Sequence, residues 1–402
     1  MIKREVYLKK IRPLFNKPVI KAITGIRRCG KSTLMQQIIT EFQESGIAEE
    51  RIIFINKELF EFDFIKGYAD LHNFVTSNTP NNSSHTYLLI DEIQEIDQWE
   101  RAVNSLLATK KYDIYITGSN ARLMSSELAT LLSGRYIEFR MFTFTFPEFV
   151  LLSEESNNHQ HQGQFDRFLK YGGFPGIHVF EWDETAVRQY INSLYNTILL
   201  KDIVVRYKIR DVEMLSKIIE FVIDNCGNIT TAKNISNFVK SQFRNVSVDT
   251  VQNYIRYTLN AFLLEQARRY DLKGKRLLET HEKYFLGDIG FRLATIGYTP
   301  DALSGQLENA VLLYLLANDY QVNIGKINNT EVDFVATKNQ DKLYIQVCAT
   351  LADSKVIDRE YGSLEKITDH FPKLVLSLDK GFETSRKGIR WKNIKDFFYG
   401  PI

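Results

Sequence analysis

The chain has 402 residues, with Lys plus Arg at 51, Asp plus Glu at 49 and a formal net charge of +2. That balance excludes a polycation acting through a global field and an acidic disordered tail, so any nucleic-acid site must be a local patch. Apolar residues at 44% and charged residues at 25% are ordinary globular usage, the length suits two or three domains, and no apolar run approaches the ~20 residues a membrane helix needs. The longest such run, Ala310 to Ala317, reads as a buried helix face. The opening MIKREVYLKK lacks the apolar core of a signal peptide. Cys29, Cys226 and Cys348 lie far apart with no C-x-x-C. A disulfide framework or cysteine zinc site is therefore not expected, and a reducing cytoplasm fits.

In chain order, Val19 to Thr24 is the first predicted strand. Ser32 to Ser45 follows as a helix, with Leu34, Met35, Ile38, Ile39 and Phe42 at helical spacing. Ile52 to Ile55, Tyr87 to Ile90, Ile114 to Thr117 and Tyr136 to Phe139 are further strands, several of them separated by helical segments. Strand and helix in alternation imply an α/β fold with a parallel sheet covered on both faces. Two stretches rich in Asn, Ser, Gln and His, Ser77 to Thr86 and Glu154 to Gln164, read as surface loops. Arg167 to Arg206 reads as mostly helical after a Gly172-Gly173-Phe174-Pro175 turn, and Val212 to Leu264 as several short helices. Leu264 to Leu286 reads as a hairpin turned at Leu272 to Lys275. Then come a helix from Glu308 to Asn318 and strands near Val332 to Ala336, Leu343 to Cys348 and Lys373 to Leu378.

Gly25-Ile26-Arg27-Arg28-Cys29-Gly30-Lys31-Ser32 matches G-x-x-x-x-G-K-[ST], followed by Thr33, and sits between a predicted strand and an amphipathic helix. Glycines at that spacing let the backbone wrap a phosphate with its N–H groups turned inward, and the helix N-terminus adds positive charge. Lys31 is the candidate for the β- and γ-phosphates and the Ser32 hydroxyl for Mg²⁺. Tyr87-Leu88-Leu89-Ile90-Asp91-Glu92 is an apolar strand ending in two carboxylates. Asp91 is the candidate to hold Mg²⁺ through water, and Glu92 to polarise a water against the γ-phosphorus. The competing reading is an acidic helix start, with Asp91 as cap and Glu92 solvated.

Ser119 and Asn120 end the next strand, which a parallel sheet places beside that of Asp91. One of the two is expected to hydrogen-bond the attacking water or the γ-phosphate; the alternative is a polar turn. Arg135 precedes the last strand as a candidate arginine finger, acting within the chain or on a neighbour, against a plain surface role. Cys29 lies near a helix N-terminus and Lys31, surroundings that lower a thiol pKa, although an inert small residue is the simpler reading. His159 and His161 form an H-x-H without a carboxylate or cysteine cluster, so no metal is expected there.

Taken together, ITGIRRCGKST, YLLIDEIQEIDQWE, ITGSNARL, LLSGRY, FTFPEF, YGGFPG and LLKDIVVRY, with KYFLGDIGFR, QLENAVLLYLL, EVDFVA and LYIQV later, resemble a family of bacterial and archaeal AAA+-like ATPases with a C-terminal domain of unknown function. The resemblance covers nearly the whole chain in the family's order. It implies a P-loop ATPase core at 1–145 using ATP and Mg²⁺, a helical lid at 146–207, a winged-helix module at 208–286 and a restriction-endonuclease-like domain at 287–402. Within the third part, Asn234 to Leu264 fits helix-turn-helix logic, with Ser247 or Asp249 capping the second helix. Arg268, Arg269, Lys273, Lys275 and Arg276 on the hairpin could contact DNA phosphates; the alternative is a protein-binding module with a solvated hairpin.

The resemblance places Glu308 and Asp333 at the nuclease's acidic positions, but its acid-x-Lys falls on Gln346-Val347-Cys348. An amide is a poor Mg²⁺ ligand and a thiol in an apolar strand is mostly neutral. No metal-dependent cleavage is expected, and Glu308 and Asp333 are expected to pair with Lys or Arg. The expected function is ATP hydrolysis coupled to movement of the C-terminal modules; the alternative is a nucleotide-gated switch that binds DNA or protein with little turnover.

Overall fold

The computed structural model describes residues 2–81, 85–121, 132, 134–155, 163–277, 281–297, 299, 302–381 and 385–400. His159 and His161 lie outside the described residues. The chain divides into two units, one of Met1–Thr143 with Asn260–Phe262, the other of Phe144–Leu259 with Leu263–Ile402. Among the described residues no helix is long and apolar enough to cross a membrane.

The first unit is built on strands β1 (Ile20–Gly25), β2 (Ile52–Asn56), β3 (Thr86–Asp91), β4 (Tyr112–Gly118) and β5 (Tyr136–Met141). They pair in parallel in the order β2-β3-β4-β1-β5. Every residue of β1, β3 and β4 is buried, the state of a parallel strand with both faces covered. Their near-continuous apolar sequence is what made them legible. Helices Lys31–Glu44, Tyr68–Ser77 and Trp99–Ala108 supply the cover. The last two bury Leu71, Val75, Val103, Leu106 and Leu107 against Ile20, Ile55, Leu88, Ile90, Ile114 and Ile116.

One exception lies inside this core. Lys21 on β1 and Asp113 on β4, both fully buried, form an ion pair. Asp113 also accepts from the Tyr115 hydroxyl at 2.8 Å and the Asn16 N–H at 2.8 Å, while Lys21 donates to the Lys17 carbonyl at 2.9 Å. Burial pulls the Lys21 ammonium below its ordinary pKa, against the pull of Asp113.

The second unit opens with helices Phe146–Glu155 and Gln164–Tyr171. The Gly172-Gly173 turn then docks on Asp288, which accepts from the Gly173 N–H at 2.9 Å and the Gly290 N–H at 2.8 Å. Gly172 has φ 78°, and a Cβ there would sit 1.9 Å from Asp288 Oδ1, so only glycine fits. The YGGFPG and GDIG motifs are thus two halves of one structural joint. Helix Glu184–Thr197 continues as a π-helical stretch, Ile198–Val205.

Helices Val212–Asp224, Ala232–Gln242 and Val248–Asn260 follow. The first two are capped by Asp211 and Thr231, and Ser247 accepts from the Thr250 N–H at 3.1 Å to cap the third. Strands β6 (Ile229–Thr230), β7 (Leu264–Asp271), β8 (Arg276–Leu277) and β9 (Glu282–Leu286) accompany them, with β7 antiparallel to β8 and β9. β7 also pairs in parallel with β10 (Gln321–Ile327). Through that pairing the hairpin continues into β11 (Thr330–Lys338), β12 (Asp341–Val347), β13 (Lys373–Ser377) and β14 (Arg390–Asn393), in the order β14-β13-β12-β11-β10-β7-β9-β6. The segments around residue 286 therefore share one sheet.

Candidate functional site

The strand order places the C-terminal ends of β3, β4 and β1 side by side, with Ile90 opposite Ile116 and Thr24 opposite Gly118. Ligands of open parallel sheets gather at such ends. Gly25 closes β1 at φ 152°, where a Cβ would lie 2.2 Å from the Met141 carbonyl oxygen. Arg28 at φ 66° and Gly30 at φ 105° turn the chain back on itself, and the helix Lys31–Glu44 starts at once. Lys31 is 4% exposed, and its ammonium donates to the carbonyls of Gly25 at 3.1 Å and Ile26 at 3.2 Å. It also lies 3.6 Å from Glu92. Arg4, buried near the N-terminus, braces the loop from behind by donating to the Cys29 carbonyl at 3.1 Å and the Phe142 carbonyl at 3.0 Å.

Asp91 is fully buried at the tip of β3. Thr117 donates its hydroxyl to Asp91 Oδ1 and accepts the Glu92 N–H at 3.0 Å. One β4 side chain therefore sets both carboxylate residues. Burial pushes the Asp91 carboxyl above the usual carboxylate range, against hydrogen bonds from Ser32 and Thr117. Asp91 Oδ2 is buried without a hydrogen bond of ordinary geometry among the described residues. A buried carboxylate oxygen with the Ser32 hydroxyl nearby is the oxygen donor set that suits Mg²⁺.

Glu92 adopts left-handed backbone angles, φ 53° and ψ 51°, a conformation costing a non-glycine residue about 1–3 kcal/mol and found at functional sites. Its carboxylate is engaged by Gln94 Nε2 and faces Lys31. Burial would raise its pKa, but Lys31, Gln94, Arg27 and Ser119 together bring it below the usual value. Glu92 is thus ionised at neutral pH, with neighbouring Asp91 pushed the other way.

Of the other predicted residues, Ser119 and Asn120 are both buried at the end of β4, and Ser119 is the one that bears on Glu92. Arg135 is exposed and precedes the N-terminal end of β5, where its carbonyl accepts from the Ile20 N–H at 2.9 Å, at the end of β1 away from the loop. β5 runs parallel to β1 from Tyr136 opposite Ile20 to Met141 opposite Gly25, which puts Arg135 roughly 17 Å from the loop at ~3.3 Å per residue. The structure does not bring it to its own chain's loop, which leaves the plain surface role and action on a neighbour. Of the two readings of Cys29, the inert small residue agrees with the structure. The thiol is fully buried, and burial raises its pKa despite Lys31 and Arg4 nearby. Thr117, Gln94 and Arg4 were not picked out from the sequence. Only Thr117 carried a signal, as a polar residue inside an apolar strand run.

A family model described as an AAA domain matches residues 17–150, and one described as a domain of unknown function (DUF8612) matches residues 162–302. An uncharacterized protein of Haemophilus influenzae is 36% identical over 378 residues, 94% of this chain and 93% of its own length. The chain belongs to this family, an AAA domain followed by a domain of unknown function. An uncharacterized protein of Methanocaldococcus jannaschii is 28% identical over 407 residues, 95% of this chain and 86% of its own. Among solved structures, AMPPCP-bound DnaA from Aquifex aeolicus is 15% identical with a TM-score of 0.33, covering 63% of this chain and 86% of its own. Aeropyrum pernix Orc1 in complex with DNA is 10% identical with a TM-score of 0.32, covering 76% and 92%. Likeness at these scores assigns no function.

In the second unit of this AAA-domain protein, Glu308 and Asp333 converge on Lys283 of β9. The ammonium lies 3.0 Å from Glu308, 2.6 Å from Glu331 and 3.7 Å from Asp333, and is 4% exposed. Lys283 is the expected basic partner of the two acids. Burial pushes both carboxyls above the usual range, the Asp333 charge adding to the effect at Glu308 and Lys283 opposing it at both. Gln346 accepts the Asp333 N–H at 2.7 Å and donates to Glu360 at 2.6 Å. Burial raises the Cys348 thiol to about 12, so it is neutral.

The basic hairpin residues divide between faces. Arg268 is exposed and Arg269 half-buried on β7, where successive side chains point oppositely. Lys273, Lys275 and Arg276 are exposed at the turn.

Proposed function

We propose that this protein binds and hydrolyses ATP with Mg²⁺ at the loop Gly25–Thr33. The observation that carries this reading is the convergence of Lys31, Ser32, Asp91 and Glu92 at the ends of adjacent strands, joined by Thr117. Backbone N–H groups from Gly25 through Ser32 bind the phosphates, and Lys31 takes the β- and γ-phosphate charge. Ser32 and Asp91 hold Mg²⁺, which neutralises phosphate charge when bound. Glu92, ionised and shielded from solvent, orients the attacking water and accepts its proton. Ser119 positions Glu92, with Asn120 beside it as a further polar contact for the γ-phosphate. Arg135 serves a neighbouring copy's nucleotide.

The hairpin and three helices of 208–286 form a winged-helix module that binds DNA phosphates with Lys273, Lys275, Arg276 and Arg268. Residues 287–402 form a nuclease-like domain without cleavage activity, a reading supported by Gln346, by neutral Cys348 and by the Lys283 ammonium among its acids. Turnover is expected to drive movement of these modules. The alternative of a slow nucleotide-gated switch is favoured by one detail, the engagement of both Glu92 oxygens by Lys31 and Gln94.

ATP at 100 times its Kd stabilises a fold by about 2.7 kcal/mol. Mg·ATP should therefore raise the melting temperature of wild type and not of Lys31→Ala. Glu92→Gln should keep the shift and lose about 10²- to 10⁴-fold in turnover, the share of a general base. Equal turnover in wild type and Glu92→Gln would leave only the switch.

A further inference from the structure

The loop carries an unusual cation. Arg27 is 8% exposed, although it projects from a phosphate-binding turn. Its Nη1 lies 3.9 Å from Glu58 Oε1, at the outer limit of an ion pair, and that carboxylate is itself 41% exposed. Arg27 also bears electrostatically on Glu92. It thus stands between a site carboxylate and a carboxylate on the segment that follows β2.

That segment is tied to the same site a second time. The Lys57 N–H donates to the Asp91 carbonyl at 3.3 Å, and the Lys57 ammonium donates to the carbonyls of Phe62 at 2.5 Å and Ile65 at 2.9 Å. Between these anchors it presents Leu59 at 47%, Phe60 at 93% and Phe64 at 57% exposure.

We propose that Arg27 is a triphosphate sensor that exchanges its Glu58 partner for the γ-phosphate and thereby releases the apolar Leu59–Phe64 segment. The proposal rests on nucleotide binding at the Gly25–Thr33 loop. A triphosphate brings several negative charges to the loop, and the Glu58 carboxylate it must displace is half-exposed and at the edge of contact. A guanidinium matches phosphate oxygens with paired N–H groups, which strengthens the competition. A diphosphate ends short of the γ position and leaves the Glu58 pair in place. The loop is then the surface through which nucleotide state is read, and Arg27 reports that state without doing the chemistry.

The experiment is a double-mutant cycle read by calorimetric titration with Mg·β,γ-imido-ATP and with Mg·ADP. Glu58→Gln should tighten the analogue by about 1.5- to 5-fold, the worth of a partly exposed ion pair, and leave ADP unchanged. Arg27→Ala should weaken the analogue by about ten- to a hundredfold, as for a lost hydrogen bond to a charged group, and spare ADP. Combined with Arg27→Ala, Glu58→Gln should do nothing. Hydrogen exchange at Leu59–Phe64 should be faster with the analogue than with ADP in wild type, and equal in Arg27→Lys, which keeps the charge and folds if alanine does not.

Equal effects of Glu58→Gln on both nucleotides, or the same gain in the double variant, overturns the sensor. Exchange that ignores the γ-phosphate in wild type overturns it too. Wild type that binds neither nucleotide would instead remove the underlying site, an outcome visible in the same titration.

Discussion

Thr117→Val isolates the link between the paired carboxylates and the rest of the sheet. Valine nearly matches threonine in volume, so the core around β4 stays packed. The change removes the hydroxyl that donates to Asp91 Oδ1 and accepts the Glu92 N–H. Both groups are buried. A lost hydrogen bond to a charged or strongly polar acceptor costs about 1.5–3 kcal/mol, and a stranded N–H about 1–3 kcal/mol. Partial relaxation makes about 3 kcal/mol the working figure for the sum. Urea unfolding followed by far-UV circular dichroism, with the m-value unchanged, would measure it.

The pH dependence of the same variant has a sign. The folded Asp91 pKa lies above its ordinary value, so the folded state holds the proton more tightly and ionised Asp91 weakens the fold as pH rises. Losing the Thr117 donor raises that pKa further, so the deficit of the variant should grow as pH rises above about 4 and shrink in acid. A loss under about 1 kcal/mol at pH 7, or a deficit that grows in acid, would refute the claim that this hydroxyl carries the pair.

Asp113→Asn should cost about 3–5 kcal/mol, because it strands the buried Lys21 ammonium, whereas Lys21→Met with Asp113→Leu should recover most of the loss in the same denaturation assay. His178, held by burial at a pKa of about 4, is neutral when folded. Its stabilising share is full above pH 6.5 and lost as pH falls toward 4, about 3 kcal/mol across that window; His178→Phe should flatten the melting temperature over that range. Lys283→Met should destabilise the second unit by about 3–5 kcal/mol at pH 8. The loss should shrink toward pH 5, where Glu308 and Asp333 take up protons, and calorimetry at both pH values would show it. Plasmid incubated with the protein and Mn²⁺ should remain uncut; nicking lost in Asp333→Ala would reverse the reading of that centre.

Much of the site was legible because local chemistry and local backbone coincide there. A phosphate loop needs glycine at set spacings, and Gly25 and Gly30 are where the turn demands positive φ or the absence of a Cβ. The apolar runs of β1, β3 and β4 marked buried parallel strands, and the D-E pair at a strand tip marked the second half of the site. The Gly172-Gly173 turn was visible too, although its partner Asp288 lies 115 residues on.

What depended on distant segments was hidden. Nothing local shows that Lys21 meets Asp113, that Lys283 is the cation shared by Glu308, Glu331 and Asp333, or that β7 continues the sheet through β10. Nor does composition near Arg135 reveal that a parallel register sets it at the end of β5 away from the loop. Glycine and strand patterns follow from each residue's own sterics and solvation, so one dimension suffices to read them. Which charges are buried together, and hence which carboxyls hold protons, depends on the three-dimensional neighbourhood. That part of the chemistry was decided only when the chain closed on itself.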